Sequence, residues 1–223
     1  MIDKNSIEAN IKEIVKYVNN KDITICAAAK TVSPEGIEHA FSCGIFDFGE
    51  NRVQELLEKY DTYKRLGARL HFIGTLQSNK VKYIIDKVVL IQSVNKISLA
   101  QEIDRQAKKH GIVMDVLIEI NADSEQTKTG VCVDDINMLV KEIKNLSNVK
   151  LRGLMAIPKD GGSLEEKNKR FEAINKIFVD IRAKNKDNDS IDILSMGMSG
   201  DYPAAVDCGA TMIRPGSKIF GSR

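Results

Sequence analysis

Apolar residues follow two alternating rhythms along this chain. Short, nearly continuous apolar runs recur at 23–29, 45–49, 69–74, 88–94, 114–121, 151–158, 192–199 and 212–221. Such runs suit strands buried on both faces, as in a parallel sheet. Between them, apolar residues recur every three or four positions. Ile103, Ala107 and Ile112 do so after the fourth run, and Ile136, Leu139, Val140 and Ile143 after the fifth. That spacing predicts helices resting one face on a sheet. Gly67, Gly111 and Gly209 stand near helix ends, where a left-handed cap suits glycine. Asp134 and Ser163 are candidate N-caps. The opening stretch, MIDKNSIEANIKEIVKYV, predicts one more amphipathic helix ahead of the first strand.

Eight strand–helix repeats predict an α/β chain closed into a single (β/α)8 TIM barrel, with the extra N-terminal helix covering its bottom or flank. A doubly wound open sheet is the alternative. The even count, the brief connections and the lack of a G-x-G-x-x-G turn favour the barrel. No linker or second core interrupts the pattern, so residues 1–223 are expected to form one domain. The stretch 184–190 reads as a polar loop.

Charge narrows the function. The chain carries 33 basic and 31 acidic residues, interspersed, for a net charge of +2. Nothing in that balance points to nucleic acid or a membrane surface. The N-terminus has no apolar signal core and no run reaches membrane-span length, so a cytoplasmic protein is expected. Cys26, Cys43, Cys132 and Cys208 are scattered without C-x-x-C spacing and predict reduced thiols, Cys26 and Cys43 in or beside apolar segments. No His, Cys or carboxylate cluster suggests a metal.

The working face of such a barrel is the C-terminal end of its strands. Lys30 ends the first strand there, just before the turn residues Ser33, Pro34 and Gly36. Alternation groups Lys30 with Ala28 and Cys26, expected to face the interior. A lysine snorkelling to water from a strand end is the plain alternative. An amine held out of water is neutral and nucleophilic, as condensation with an aldehyde requires. The loops after the last two strands, LSMGMSGDYPAAV and IRPGSKIFG, suit phosphate binding. Ser195, Gly197, Ser199 and Gly200 supply hydroxyls and close backbone approach, and Gly216 and Ser217 a second pair of N–H groups. Arg214 is expected within the eighth strand, pointing into the barrel mouth. A buried arginine needs a partner, either a protein carboxylate or a ligand's aromatic nitrogen or anion.

Several longer motifs now agree. AAAKTVS around Lys30, FGENRVQE at 48–55, HFIGTLQSNK at 71–80, LMAIP at 154–158, LSMGMSGD at 194–201 and IRPGSKIFGSR at 213–223 resemble the pyridoxal phosphate homeostasis protein family, also called the YggS or PROSC family. The resemblance covers nearly the whole chain, in order. It implies the barrel of the alanine racemase N-terminal domain, and pyridoxal 5′-phosphate bound as an aldimine on Lys30. Arg214 would face the pyridine nitrogen. Ser195, Ser199, Gly216 and Ser217 would hold the phosphate, with Gly197 allowing backbone approach. Asn51 would lie near the ring, and Met196 or Met198 against the cofactor. The chain departs from the family at Ala29, Thr75 and Pro215, none of which removes a group the site needs.

The resemblance implies buffering or delivery of the cofactor, with PLP-dependent apo-enzymes as recipients and no assigned turnover; a monomer is expected, though no sequence feature sets the oligomeric state. A PLP-dependent amino-acid racemase is the enzymatic alternative. It needs an acid–base group on each face of the α-carbon. Lys30 serves one face, and Tyr202 is the tyrosine expected near the site. The racemases' C-terminal domain, which brings the second group, is not read in this chain. A Schiff-base aldolase for phosphorylated sugars would share Lys30 and the phosphate loops but give Arg214 no role. His71 reads as structural, at the bottom of the barrel. Gln77, Asn79 and Lys80 are expected at the top.

Overall fold

A computed structural model describes residues 3–19, 21–121, 129–158, 161–185 and 191–221. Eight parallel strands close a barrel in chain order: β1 Thr24–Ala28, β2 Asp47–Glu50, β3 Arg69–Phe72, β4 Leu90–Val94, β5 Met114–Ile120, β6 Val149–Ala156, β7 Ile193–Ser195 and β8 Met212–Ile213. Helix α1 (Lys4–Val18) precedes β1. Then come α2 (Pro34–Ser42), α3 (Val53–Leu66), α4 (Val81–Ile84), α5 (Ile97–His110), α6 (Ile136–Lys144), α7 (Leu164–Lys184), α8 (Tyr202–Asp207) and α9 (Ser217–Phe220).

The apolar runs form two layers. Ala27, Phe48, Leu70, Ile91 and Val116 join helix residues such as Leu56, Ile103 and Phe178 in one large cluster between barrel wall and helices. Cys26, Ile73, Leu90, Leu117, Met155 and Met212 form a smaller cluster with Ala28 packed against it. Cys26 and Ala28 therefore face the interior, as alternation requires. All four cysteines are free thiols. Only Cys26 is fully buried, and Cys132 is exposed. Gly67 and Gly111 end α3 and α5 in the left-handed conformation (φ +69° and +65°). Ser163 opens α7 with a complete capping box to Glu166. Asp134 is no cap: it lies inside a 3-10 turn, 133–135, and Asp135 at the start of α6 makes no side-chain capping bond.

The last two strands are shorter than their apolar runs. β7 stops at Ser195 because the chain turns at Gly197, whose φ is +92°. A Cβ there would sit 2.5 Å from the Ala205 Cβ, so glycine is required. β8 stops at Ile213, before Arg214 and Pro215, and 217–220 is a helix rather than strand. Pro215 has no N–H for a ladder, yet its carbonyl still accepts from Ala28 N–H at 2.9 Å, which holds this loop against β1.

Asp47, at the start of β2, is 5% exposed and bonded to Arg69 Nε (2.7 Å) and His71 Nε2 (3.1 Å). Burial pushes its carboxyl up, but those two partners outweigh it and hold the group below the usual carboxylate range. A depressed folded value gives stability that is complete above the unfolded value, about 3.9, and is lost as pH falls through the folded one. Urea midpoints should therefore fall steeply under acid conditions, and less steeply in Asp47→Asn.

Candidate functional site

Lys30 lies two residues beyond β1, exposed at the C-terminal rim of the barrel. The expected desolvated amine is not found. Among the described residues its amine has no hydrogen bond or ion pair. Its backbone, by contrast, is held on both sides. The Ala29 carbonyl accepts from Lys59 Nζ at 2.9 Å, and Thr31 N–H donates to Glu55 Oε2 at 2.8 Å. Thr31 has φ +59°. A β-branched residue in that region costs on the order of 1–3 kcal/mol and persists only where its surroundings enforce it.

Helix α3 supplies that enforcement. Glu55, Lys59 and Tyr63 are four residues apart and share one face. Lys59 Nζ also lies 2.5 Å from Glu50 Oε1, which accepts from the Tyr63 hydroxyl at 2.5 Å. Glu50 is fully buried and its second carboxylate oxygen has no partner among the described residues. Burial pushes this carboxyl up, against the opposing pull of Lys59 and Tyr63.

The loops after β7 and β8 meet at Ser199. Its Oγ accepts from Gly216 N–H at 2.9 Å and Lys218 N–H at 3.0 Å. The hydroxyl proton stays available to an acceptor at the mouth. Ser217 is exposed beside it. A Cβ on Gly216 would lie 3.2 Å from the Ala28 carbonyl oxygen, two residues before Lys30. The N–H groups and the lysine thus share one side of the mouth.

Arg214 follows β8 directly and is 3% exposed. Its Nη1 donates to Ser195 Oγ at 2.5 Å and its Nη2 to the Ala156 carbonyl at 2.9 Å. Among the described residues no carboxylate is bonded to it. Burial pushes the guanidinium down to about 10, although Cys26, Asp201 and Glu119 pull the other way.

Two expectations change. Ser195 is fully buried beneath Arg214 and gives its proton to Gln92 Oε1 at 2.7 Å, so that proton is committed away from a phosphate. Met196 is fully buried in the layer between wall and helices; the exposed methionine of this loop is Met198. Tyr202, whose Cα lies against Gly197 of this loop, packs its ring edge-on against Tyr17 of α1, 5.7 Å between centroids. Asn51, half-buried after β2, has its backbone against Gly74: a Cβ on Gly74 would fall 2.1 Å from the Asn51 carbonyl oxygen. That contact accounts for the glycine of HFIGTLQSNK by packing alone.

The sequence reading missed Glu50, Lys59 and Tyr63, and also Glu119. Glu119 is buried on β5, accepts from Thr129 Oγ1 at 2.6 Å and, among the described residues, leaves its other oxygen unpartnered. Gln92 was the readable signal, an amide inside the apolar run VVLIQSV.

Among the described residues the set comprises an unpartnered primary amine, a hydroxyl donor oriented by two backbone N–H groups, and a buried cation without an acidic hydrogen-bond partner. It fits a ligand that joins an aldehyde, a phosphate and a ring acceptor. Among the described residues no group of three metal-binding side chains occurs, and no helix is long and apolar enough to cross a membrane.

Comparison with known proteins agrees with this chemistry. The family described as alanine racemase, N-terminal domain, matches residues 2–223. The pyridoxal phosphate homeostasis protein of Aquifex aeolicus is 43% identical over 89% of this chain and 86% of its own. That of Haemophilus influenzae is 36% identical, over 98% and 94%. PipY of Synechococcus elongatus, solved with PLP bound, superposes with a TM-score of 0.88 at 29% identity, over 96% of this chain and all of that one. An alanine racemase of Clostridium difficile shares the fold at 19% identity (TM-score 0.79), over this whole chain but 58% of its own. The barrel, the placement of Lys30 and near full-length identity to these relatives converge: the chain belongs to the pyridoxal phosphate homeostasis protein family.

Proposed function

We propose that this chain is a one-domain, cytoplasmic, monomeric protein that binds pyridoxal 5′-phosphate and buffers or delivers it to PLP-dependent apo-enzymes. The observation that carries the reading is the Ser199 cluster, where Gly216 and Lys218 N–H groups converge on one hydroxyl with Gly216 against Ala28, two residues before Lys30, whose amine has no partner among the described residues. Lys30 would hold the cofactor through a carbon–nitrogen bond to its aldehyde. Ser199 and Ser217 would hold its phosphate, with Gly216 N–H, already donated to Ser199 Oγ, orienting that hydroxyl toward it. Arg214, donating from below, would face its ring nitrogen, and Asn51 its ring edge. Ser195 acts one step back, by fixing Arg214. When bound, the cofactor supplies a reactive aldehyde and an electron-accepting ring; the chain supplies its capture and orientation.

The racemase alternative needs a proton donor opposite Lys30. All five tyrosines sit on helices: Tyr17 on α1, Tyr60 and Tyr63 on α3, Tyr83 on α4 and Tyr202 on α8. An exposed amine at an open rim suits release of a captured aldehyde to an acceptor.

Phosphate dependence tests the reading. Pyridoxal 5′-phosphate should bind far more tightly than pyridoxal in a titration followed by absorbance. Ser199→Ala should weaken phosphate-dependent binding by about 1.5–3 kcal/mol, the worth of one charge-assisted hydrogen bond. Equal affinity for the two aldehydes would remove the phosphate site from these loops.

A further inference from the structure

Five buried polar side chains cross the barrel interior in one hydrogen-bonded file. His71 Nε2 lies 3.1 Å from Asp47 Oδ1, and Gln92 Nε2 lies 3.0 Å from His71 Nδ1. Ser195 Oγ lies 2.7 Å from Gln92 Oε1, and Arg214 Nη1 lies 2.5 Å from Ser195 Oγ. They come from β2, β3, β4, β7 and the residue after β8, and none is more than 5% exposed. An apolar interior would be the cheaper filling, since every buried polar atom must find a partner.

The two ends of the file are chemically one-sided. A guanidinium only donates and a carboxylate only accepts. Starting from Arg214, Ser195 must accept, so its single proton goes to Gln92 Oε1. That turns the amide nitrogen toward His71, whose Nδ1 must then accept. The remaining Nε2–H points at Asp47. Starting from Asp47 gives the same order for a neutral imidazole, since Nε2–H donates to the carboxylate and leaves Nδ1 to accept. The second amide N–H is used by Met212 Sδ at 3.2 Å, which also fixes the amide's orientation. Reversing the amide would require an imidazolium at His71 and would leave the Ser195 proton without an acceptor in the file.

We propose that His71 and Gln92 are positioning residues for Arg214. Through Ser195 they hold one nitrogen of the guanidinium, while the Ala156 carbonyl holds the other. Two fixed nitrogens aim the planar fork in a single direction at the mouth. The file itself stands on geometry alone; that Arg214 faces a ring nitrogen rests on the cofactor reading above.

Two readouts separate these claims. In the cofactor-free protein at mildly alkaline pH, ¹⁵N NMR should show His71 as the Nε2–H tautomer. In the second, affinity for pyridoxal 5′-phosphate is compared with that for its analogue bearing carbon in place of the ring nitrogen. The wild type should prefer the natural cofactor by about 10- to 150-fold, the range of one hydrogen bond to a charged group. Gln92→Leu and Ser195→Ala should each still bind both, with the preference reduced below about threefold. A proton on His71 Nδ1, or an undiminished preference in both variants, would overturn the proposal. If the wild type binds neither aldehyde, the cofactor reading fails and the His71 tautomer alone decides the file. Should Gln92→Leu not fold, Ser195→Ala carries the second readout.

Discussion

Lys30→Ala is expected to abolish covalent capture of pyridoxal 5′-phosphate while leaving the barrel's stability within about 0.5 kcal/mol of wild type. The side chain is exposed at the rim, and among the described residues its amine has no hydrogen bond or ion pair, so the fold loses nothing when it goes. The turn that carries it is held through backbone atoms of Ala29 and Thr31, which alanine at position 30 retains. The donors around Ser199 are untouched and should still hold the phosphate noncovalently. Visible absorbance of the cofactor-loaded protein checks the first half, and a urea melt the second.

Lys59→Met is expected to do the reverse. This lysine is 8% exposed and paired with a fully buried Glu50 at 2.5 Å. Removing one partner of a buried ion pair costs about 3–5 kcal/mol, because the other charge is left uncompensated. In a chain of this size that corresponds to a fall of roughly 6–20 °C in Tm. Glu50 can limit the loss by taking a proton. Its folded pKa is already raised by burial, and loss of Lys59 raises it further. A raised carboxyl value removes stability above it, so the variant should recover as pH falls through that value. Glu50→Gln in the same chain should recover part of the loss at neutral pH. The Ala29 carbonyl also loses its donor, so the variant should bind pyridoxal 5′-phosphate more weakly even when folded. Calorimetry across pH separates these effects. A Tm within a few degrees of wild type at all pH values would mean the pair does not hold this turn.

The contrast between the two lysines shows what the sequence can carry. Lys30 was legible because it interrupts an apolar run at a strand end, where charge is unusual. Lys59 was not. A lysine on an amphipathic helix has the composition of a solvated face, and only the packing of α3 on β2 reveals that it points inward. The eight strands were legible from their continuous apolar runs, and their order followed from the barrel's closure. The end of β8 was not, because IRPGSKIFG has apolar residues on both sides of its turn, and α9 is only four residues long. Arg214 was readable as a buried cation, but its partners were not. Ser195 and the Ala156 carbonyl come from β7 and β6, and strand-to-strand contacts of that kind depend on register. The same dependence moved Ser195 from the phosphate to the arginine and Met196 from the mouth to the wall.

Borohydride reduction of the protein loaded with pyridoxal 5′-phosphate, followed by peptide mapping, tests the central claim most directly. The account predicts one phosphopyridoxyl adduct, on Lys30, with loss of visible absorbance and no adduct in Lys30→Ala. An adduct on another lysine, or undiminished labelling of Lys30→Ala, would contradict it.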